Sequence, residues 1–167
     1  ALGDDPRFVA IRLALMAASF LCLLEFGRRA TAILVGRTPG RWIAPSLLVL
    51  AVLGGLAGPA GLNAGIRYAL GFTGGLWAAW ALWRYRDRAG FGRVALGVAA
   101  AGMALYAVAA GAIVPKSAFF PAEIVNHDAF LAATTLPIQL VRGLLAGVIA
   151  LAFWRFTETG SRCAATD

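Results

Sequence analysis

The residues able to do chemistry in this chain are the charged and polar ones set where apolar residues are expected. Arg142 lies near the middle of LAATTLPIQLVRGLLAGVIALAFWRF, the most apolar stretch toward the C-terminus. A guanidinium stays charged in proteins, and at the centre of a bilayer it costs at least about 2.5 kcal/mol. It must face protein, water or a ligand. Asp128, Thr135, Gln139 and Arg142 follow one another at steps of 7, 4 and 3, which puts them on one face of a helix. Pro137, beside this stripe, is expected to free a backbone carbonyl one turn back, near Ala133. Arg12, Ser19, Cys22 and Glu25 form a weaker stripe, and Arg67 and Tyr106 are further polar groups inside apolar runs.

Two uses of these groups stand side by side. In the structural one, Arg142 bonds to Gln139, Thr135, Tyr106 or freed carbonyls. Glu25 is then its one carboxylate candidate within the apolar runs. The depths match poorly, because Glu25 is about a turn from Arg28 and Arg29 while Arg142 precedes Arg155 by thirteen residues, roughly 19 Å at helical rise. Glu25, Arg28, Arg29 and Asp128 read as structural or ion-pair residues. In the functional use, Arg142, Gln139, Thr135, Arg67, Arg12 and Tyr106 line a positive cleft open to the outside. Such a cleft suits a carboxylate, a lipid head group or a quinone-like carbonyl.

Catalysis and metal binding find no support. His127 is the single histidine, and the two cysteines are Cys22, inside a helix, and Cys163, in the tail. Bis-histidine haem ligation within the chain is excluded, and Cys/His zinc motifs are absent. No disulfide, phosphate-binding glycine loop or serine elbow is expected. His127 and Asp128 are adjacent and cannot form a triad-like relay alone, so His127 reads as a loop residue. The expectation is a non-enzyme without a resident cofactor, for which a bound lipid or quinone-like molecule is the fitting ligand.

The elements that must position these groups are apolar helices. The 167 residues are 60% hydrophobic and 14% charged, with mean hydropathy +0.78; soluble domains carry about 25% charge. Several runs reach the ~20 residues that cross a bilayer as helix, and none alternates as barrel strands do. The fold class is an all-α membrane protein, a single domain over 1–167 built as a bundle of about five transmembrane helices. The spans read as 6–34, 42–57, 62–85, 91–114 and 128–156. Pro6 after Asp4 and Asp5 suits a helix start, and Asn126 or Asp128 can cap the last helix.

The net charge of +7 is arginine, with Lys116 the one lysine. Arg28, Arg29, Arg37, Arg41, Arg84, Arg86, Arg88, Arg93, Arg155 and Arg162 fall on one side of such a bundle. The positive-inside rule then puts the N-terminus outside and the C-terminus in the cytoplasm, and explains the basicity without nucleic acid. Gly54/Gly58, Gly71/Gly75 and Gly143/Gly147 carry small-xxx-small spacing, which allows close helix packing within the bundle or between copies. Trp42, Trp77, Trp80, Trp83 and Trp154 read mainly as an interfacial belt. Phe119 and Phe120, in the one long loop, suggest a segment on the bilayer surface or folded over the bundle. Membrane lipids, partner helices and further copies are the expected partners.

LLEFGRR (Leu23 to Arg29) and the block from Tyr106 to Phe156, with Pro137 to Arg142 at its centre, resemble the N-terminal multi-pass membrane region of bacterial PAS-containing sensor histidine kinases. The resemblance implies a bacterial inner-membrane module whose last span leads into the cytoplasm. Such proteins have a span ahead of the first helix seen here and continue into PAS, kinase or cyclase domains. This chain begins in what would be the following external loop and ends at Asp167, so it is expected to be a sensor module without its output or a relative recruited into a larger complex. The function expected is a non-enzymatic transmembrane input module acting at an external-facing cleft. The alternative is an accessory subunit of a respiratory or photosynthetic assembly that binds lipids, pigments or partner helices.

Overall fold

The computed structural model describes residues 5–90 and 92–164, with side chains through residue 161. Asp4, Phe91 and the side chains of Arg162 and Cys163, which entered the sequence reading, lie outside the described residues. All regular elements among the described residues are helical, apart from one isolated bridge between Val114 and Asn126.

Helix α1, Pro6–Val35, starts where Asp5 accepts from the Arg7 N–H (2.8 Å) and ends on Gly36 at φ 74°. Helix α2, Ile43–Leu53, tightens into a 3₁₀ turn, Gly54–Ala57, and α3, Gly58–Ile66, follows without a linker. Gly58 has φ 80° and ψ −171°, a conformation open to glycine, and there the chain reverses. Gly54 then meets the Gly61 carbonyl and the Gly65 Cα, and Gly65 meets the Ala51 carbonyl. The Gly54/Gly58 spacing is thus an internal hairpin, with Gly54 at the contact and Gly58 at the turn. Helix α3 passes through a π-helical segment, Arg67–Phe72, into α4, Thr73–Tyr85. Helix α5, Arg93–Ala107, ends in a second π-helical segment, Val108–Ala112.

The last predicted span is two helices. Helix α6, His127–Thr134, stops at Thr135, and α7, Ile138–Ala164, begins after Pro137. Two causes combine. Proline disfavours helical backbone at Leu136, and Thr135 takes φ 58° as the αL cap, its N–H donating to Leu131 O. Asn126, not Asp128, caps α6, accepting from Asp128 N and Ala129 N. The Asp128–Thr135–Gln139–Arg142 stripe therefore does not run down one continuous helix.

Helices α1, α4, α5 and α7 pack in that order, each against the next, with the α2–α3 hairpin beside α1. Gly74 lets α4 approach the α1 backbone at Phe20 and Leu24; Gly71 meets the Phe20 ring and Gly75 meets Ala107. Trp77 lies over Gly27 and donates its indole N–H to Thr31 (2.8 Å), so it is a clamp between α1 and α4. Gly143 and Gly147 meet nothing within 4 Å.

Among the described residues, four continuous helical runs are long and apolar enough to cross a membrane: Pro6–Val35, Ile43–Tyr85, Arg93–Ala112 and Ile138–Ser161. The second contains the reversal at Gly58. Their outer faces carry exposed Ile11, Leu15, Leu56, Leu105, Leu144 and Leu151, apolar patches that fit a membrane location. Most of the arginines gather at one end, with Arg12, Arg67 and Arg142 lying toward the other. Arg88 donates to Ile33 O and Leu34 O at the end of α1, and Gly92 meets Phe156 of α7. At the other end Pro6, Gly58, Pro59 and Pro115 line one groove, so the hairpin tip lies with the start of α1 and the end of α5.

Candidate functional site: an arginine-capped helix end

A helix leaves its last carbonyls without backbone partners, and these carry the negative end of the helix dipole. At the end of α5 the π-helical geometry, with Ile113 N donating to Val108 O (3.4 Å), leaves the Ala109, Ala110 and Ile113 carbonyls for other donors. In an apolar surrounding each orphan carbonyl is costly.

Arg142 meets that need. Its Nε and Nη2 donate to Ala109 O at 2.9 and 2.8 Å, and Nη2 also donates to Ile113 O at 2.6 Å. Nη1 donates to Gln139 Oε1 at 3.3 Å. Arg142 is 7% exposed. Arg67 caps the adjacent carbonyl: its Nη1 donates to Ala110 O (2.8 Å), and its Nε donates to Asn63 Oδ1 (2.7 Å). The two π-helical segments face each other here, with Gly111 against the Phe72 backbone. His127 completes the cluster, Nε2 lying 3.2 Å from Ile113 O and 3.4 Å from Arg142 Nη2. Donating to Ile113 O requires the proton on Nε2, whereas accepting from Arg142 requires Nε2 bare, so the two contacts belong to different tautomers. Its partial burial, then the Arg142 and Arg67 charges, hold its pKa below the ordinary value.

Neither Arg67 nor Arg142 makes an ion pair among the described residues. Glu25 is spoken for at the arginine-rich end. Arg28 forks onto it from Nε (2.6 Å) and Nη2 (2.8 Å), and Arg29 Nε adds a third bond (2.6 Å). Dipoles, not a carboxylate, neutralise Arg142. Its depth also differs from the sequence reading. Since α7 starts at Ile138, Arg142 is four residues into the helix, about 6 Å from its start, and not near the middle of a span.

Of the residues grouped by the sequence, Arg142, Arg67 and Gln139 come together, and Tyr106 stands within electrostatic range of both arginines without hydrogen-bonding either. Thr135 and Asp128 are exposed and outside the cluster, Thr135 bonding to its neighbour Thr134 O. Arg12 is exposed and lines the groove of about 1020 Å³ that also holds Asn63 and Pro115. The carbonyls that Arg142 and Arg67 hold belong to the π-helical segment after α5 and to Ile113, and Ala133 O is not among them. Sequence reasoning missed Asn63 and gave His127 no part. Asn63 lies four residues before Arg67, the spacing of a helical side-chain pair, and that signal was readable. The π-helical segments carry no sequence mark that would have exposed their carbonyls.

No known family model matches the chain, and no characterised protein or solved structure shows significant similarity to it.

Proposed function

We propose that this chain is a non-enzymatic transmembrane input module of a bacterial signalling protein, multi-pass in the inner membrane, with five crossings, the N-terminus outside and the C-terminus in the cytoplasm. One observation carries the reading. A polar path leads from the groove holding Arg12, through Asn63 and Arg67, to Ala110 O; the neighbouring carbonyl, Ala109 O, is held by Arg142 on α7. A head group or carbonyl that engages Arg12 or Asn63 competes for Arg67, loosens one cap of the α5 end, and shifts the load onto Arg142. A change at Arg142 is then passed along α7 to the arginine-rich end. The arginine clustering supports the orientation, and the hairpin tip beside Pro6 and Pro115 supports five legs running end to end. The shorter leg, 43–57, is about 22 Å long against ~30 Å of hydrocarbon, so it crosses with local thinning.

Coupling of this kind requires an element whose balance both ends can bias. Pulsed electron resonance between spin labels at Thr157→Cys and Tyr85→Cys, with Cys22 and Cys163 changed to serine, measures it in nanodiscs. Adding a short-chain benzoquinone or an anionic lipid is expected to shift the distance in the parent and not in Asn63→Ala. A parent distance that ignores both additions, or an Asn63→Ala response equal to the parent's, refutes the input role.

A second reading, an accessory subunit of a larger membrane assembly, is favoured by one face of α7. Gly143 and Gly147 are open there, and Leu144, Leu151 and Trp154 are exposed. Co-purification in fixed stoichiometry with cofactor-bearing membrane proteins would support it over the input role.

A further inference from the structure

At the arginine-rich end a groove of about 550 Å³ runs between the first turns of α5 and the second half of α7. Its apolar wall is formed by Val94, Val98, Val148 and Leu151, all exposed. Its polar end is formed by Arg93 and Arg155. Arg93 pairs with Asp87 through Nη2 (3.0 Å) and makes no other ion pair among the described residues. Arg155 makes no ion pair among the described residues. Helix α5 also begins here without a side-chain cap and with no acidic residue in its first turn, so its free N–H groups add to the positive field. Two guanidiniums over an apolar trough match an acid head group joined to an acyl chain.

We propose that this groove binds one anionic phospholipid, its phosphate between Arg93 and Arg155 and an acyl chain along Val98, Val148 and Leu151. The geometry discriminates by charge. A zwitterionic head group brings an ammonium into a site already lined by two arginines, whereas a phosphatidylglycerol-type head group does not. Trp154, exposed beside Arg155, is of the residue type enriched at bilayer interfaces. The site needs only a membrane location and does not depend on the input role, so failure of the spin-label experiment leaves it standing.

Native mass spectrometry of the full chain, released from micelles with equimolar phosphatidylglycerol and phosphatidylcholine, tests it. One retained phosphatidylglycerol is expected. At the affinity a basic side chain typically adds near an anionic surface, the double change Arg93→Gln with Arg155→Gln lowers that preference roughly thirty-fold. Val98→Trp fills the trough and abolishes retention with both charges intact. Arg37→Gln with Arg41→Gln, an equal loss of charge at exposed positions of the same end, retains the lipid. Circular dichroism of each variant establishes that the helices persist. Equal retention of phosphatidylcholine overturns the proposal. So does equal loss in the Arg37/Arg41 variant, which means diffuse attraction, or displacement by millimolar inorganic phosphate, which means a free-anion site.

Discussion

Replacing Arg142 by leucine removes the fork that reaches both Ala109 O and Ile113 O. Ala109 O loses both of its donors, at 2.9 and 2.8 Å, while Ile113 O loses the 2.6 Å bond and keeps His127 at 3.2 Å. A buried acceptor left without a partner costs about 1–3 kcal/mol. Ala109 O is fully orphaned and Ile113 O partly so. The loss of a buried charge recovers some desolvation, so the net expected destabilisation is about 3 kcal/mol. Arg142→Lys keeps the charge but offers a compact ammonium in place of the fork; reaching one carbonyl, it is expected to cost about half as much. Unfolding of the chain by titrating SDS into mixed micelles gives the free energy, and amide exchange gives the location. Faster exchange is expected over 108–116 and 127–131, with 73–85 unchanged. Membrane insertion is expected to be intact, because α7 becomes more apolar. If Arg142→Leu unfolds within about 0.5 kcal/mol of the parent and exchange at 108–116 is unaltered, the carbonyls have other donors and the capping role of Arg142 is refuted.

Three further outcomes follow from the same geometry. Because the folded state depresses the His127 pKa, the unfolded chain takes up that proton first as pH falls. Stability is expected to be level above pH ~7 and to decline as pH drops below the ordinary histidine value of ~6.5; His127→Gln, measured by unfolding midpoints at pH 7.5 and 5.5, is expected to remove the decline. Gly27→Ala puts a methyl group 2.7 Å from Trp77 Cγ, so the indole must leave Thr31. Overpacking of this kind costs about 1–3 kcal/mol, read as a lower midpoint with altered tryptophan emission, whereas Gly143→Ala, with open space around it, is expected to leave both unchanged. Thr135→Gly relieves a β-branched residue at φ 58° and is expected to stabilise the folded state by about 1 kcal/mol; a destabilised variant would show that the break between α6 and α7 depends on the threonine side chain.

The chain's class and punctuation were legible in one dimension because they depend on local chemistry. Apolar runs, Asp5 and Pro6 at the start of α1, Gly58-Pro59 between two helical legs, and arginines at one end all act through composition or nearest neighbours. So does Glu25 with Arg28 and Arg29, an i,i+3 and i,i+4 set whose salt links form within one helix. Pro137 was visible too, but its effect was underestimated. Read as a residue inside a span, it suggested a stripe of four groups on one face, whereas with Thr135 it ends α6 and restarts the helix at Ile138.

What Arg142 is for was decided only by tertiary structure. The sequence by itself determined that a permanent charge in an apolar segment needs a partner, and that Glu25 matches it poorly in depth. It could not say that α5 ends in a π-helical segment, since unsatisfied carbonyls arise from backbone geometry and not from residue type. Nor could it bring Arg67, from 75 residues earlier in the chain, onto the carbonyl next to those held by Arg142. That meeting depends on α4 packing against α5 and α5 against α7, through contacts as small as Gly75 on Ala107 and Gly102 on Ile149. The charge was written in the chain; the helix end that neutralises it exists only once those helices have packed.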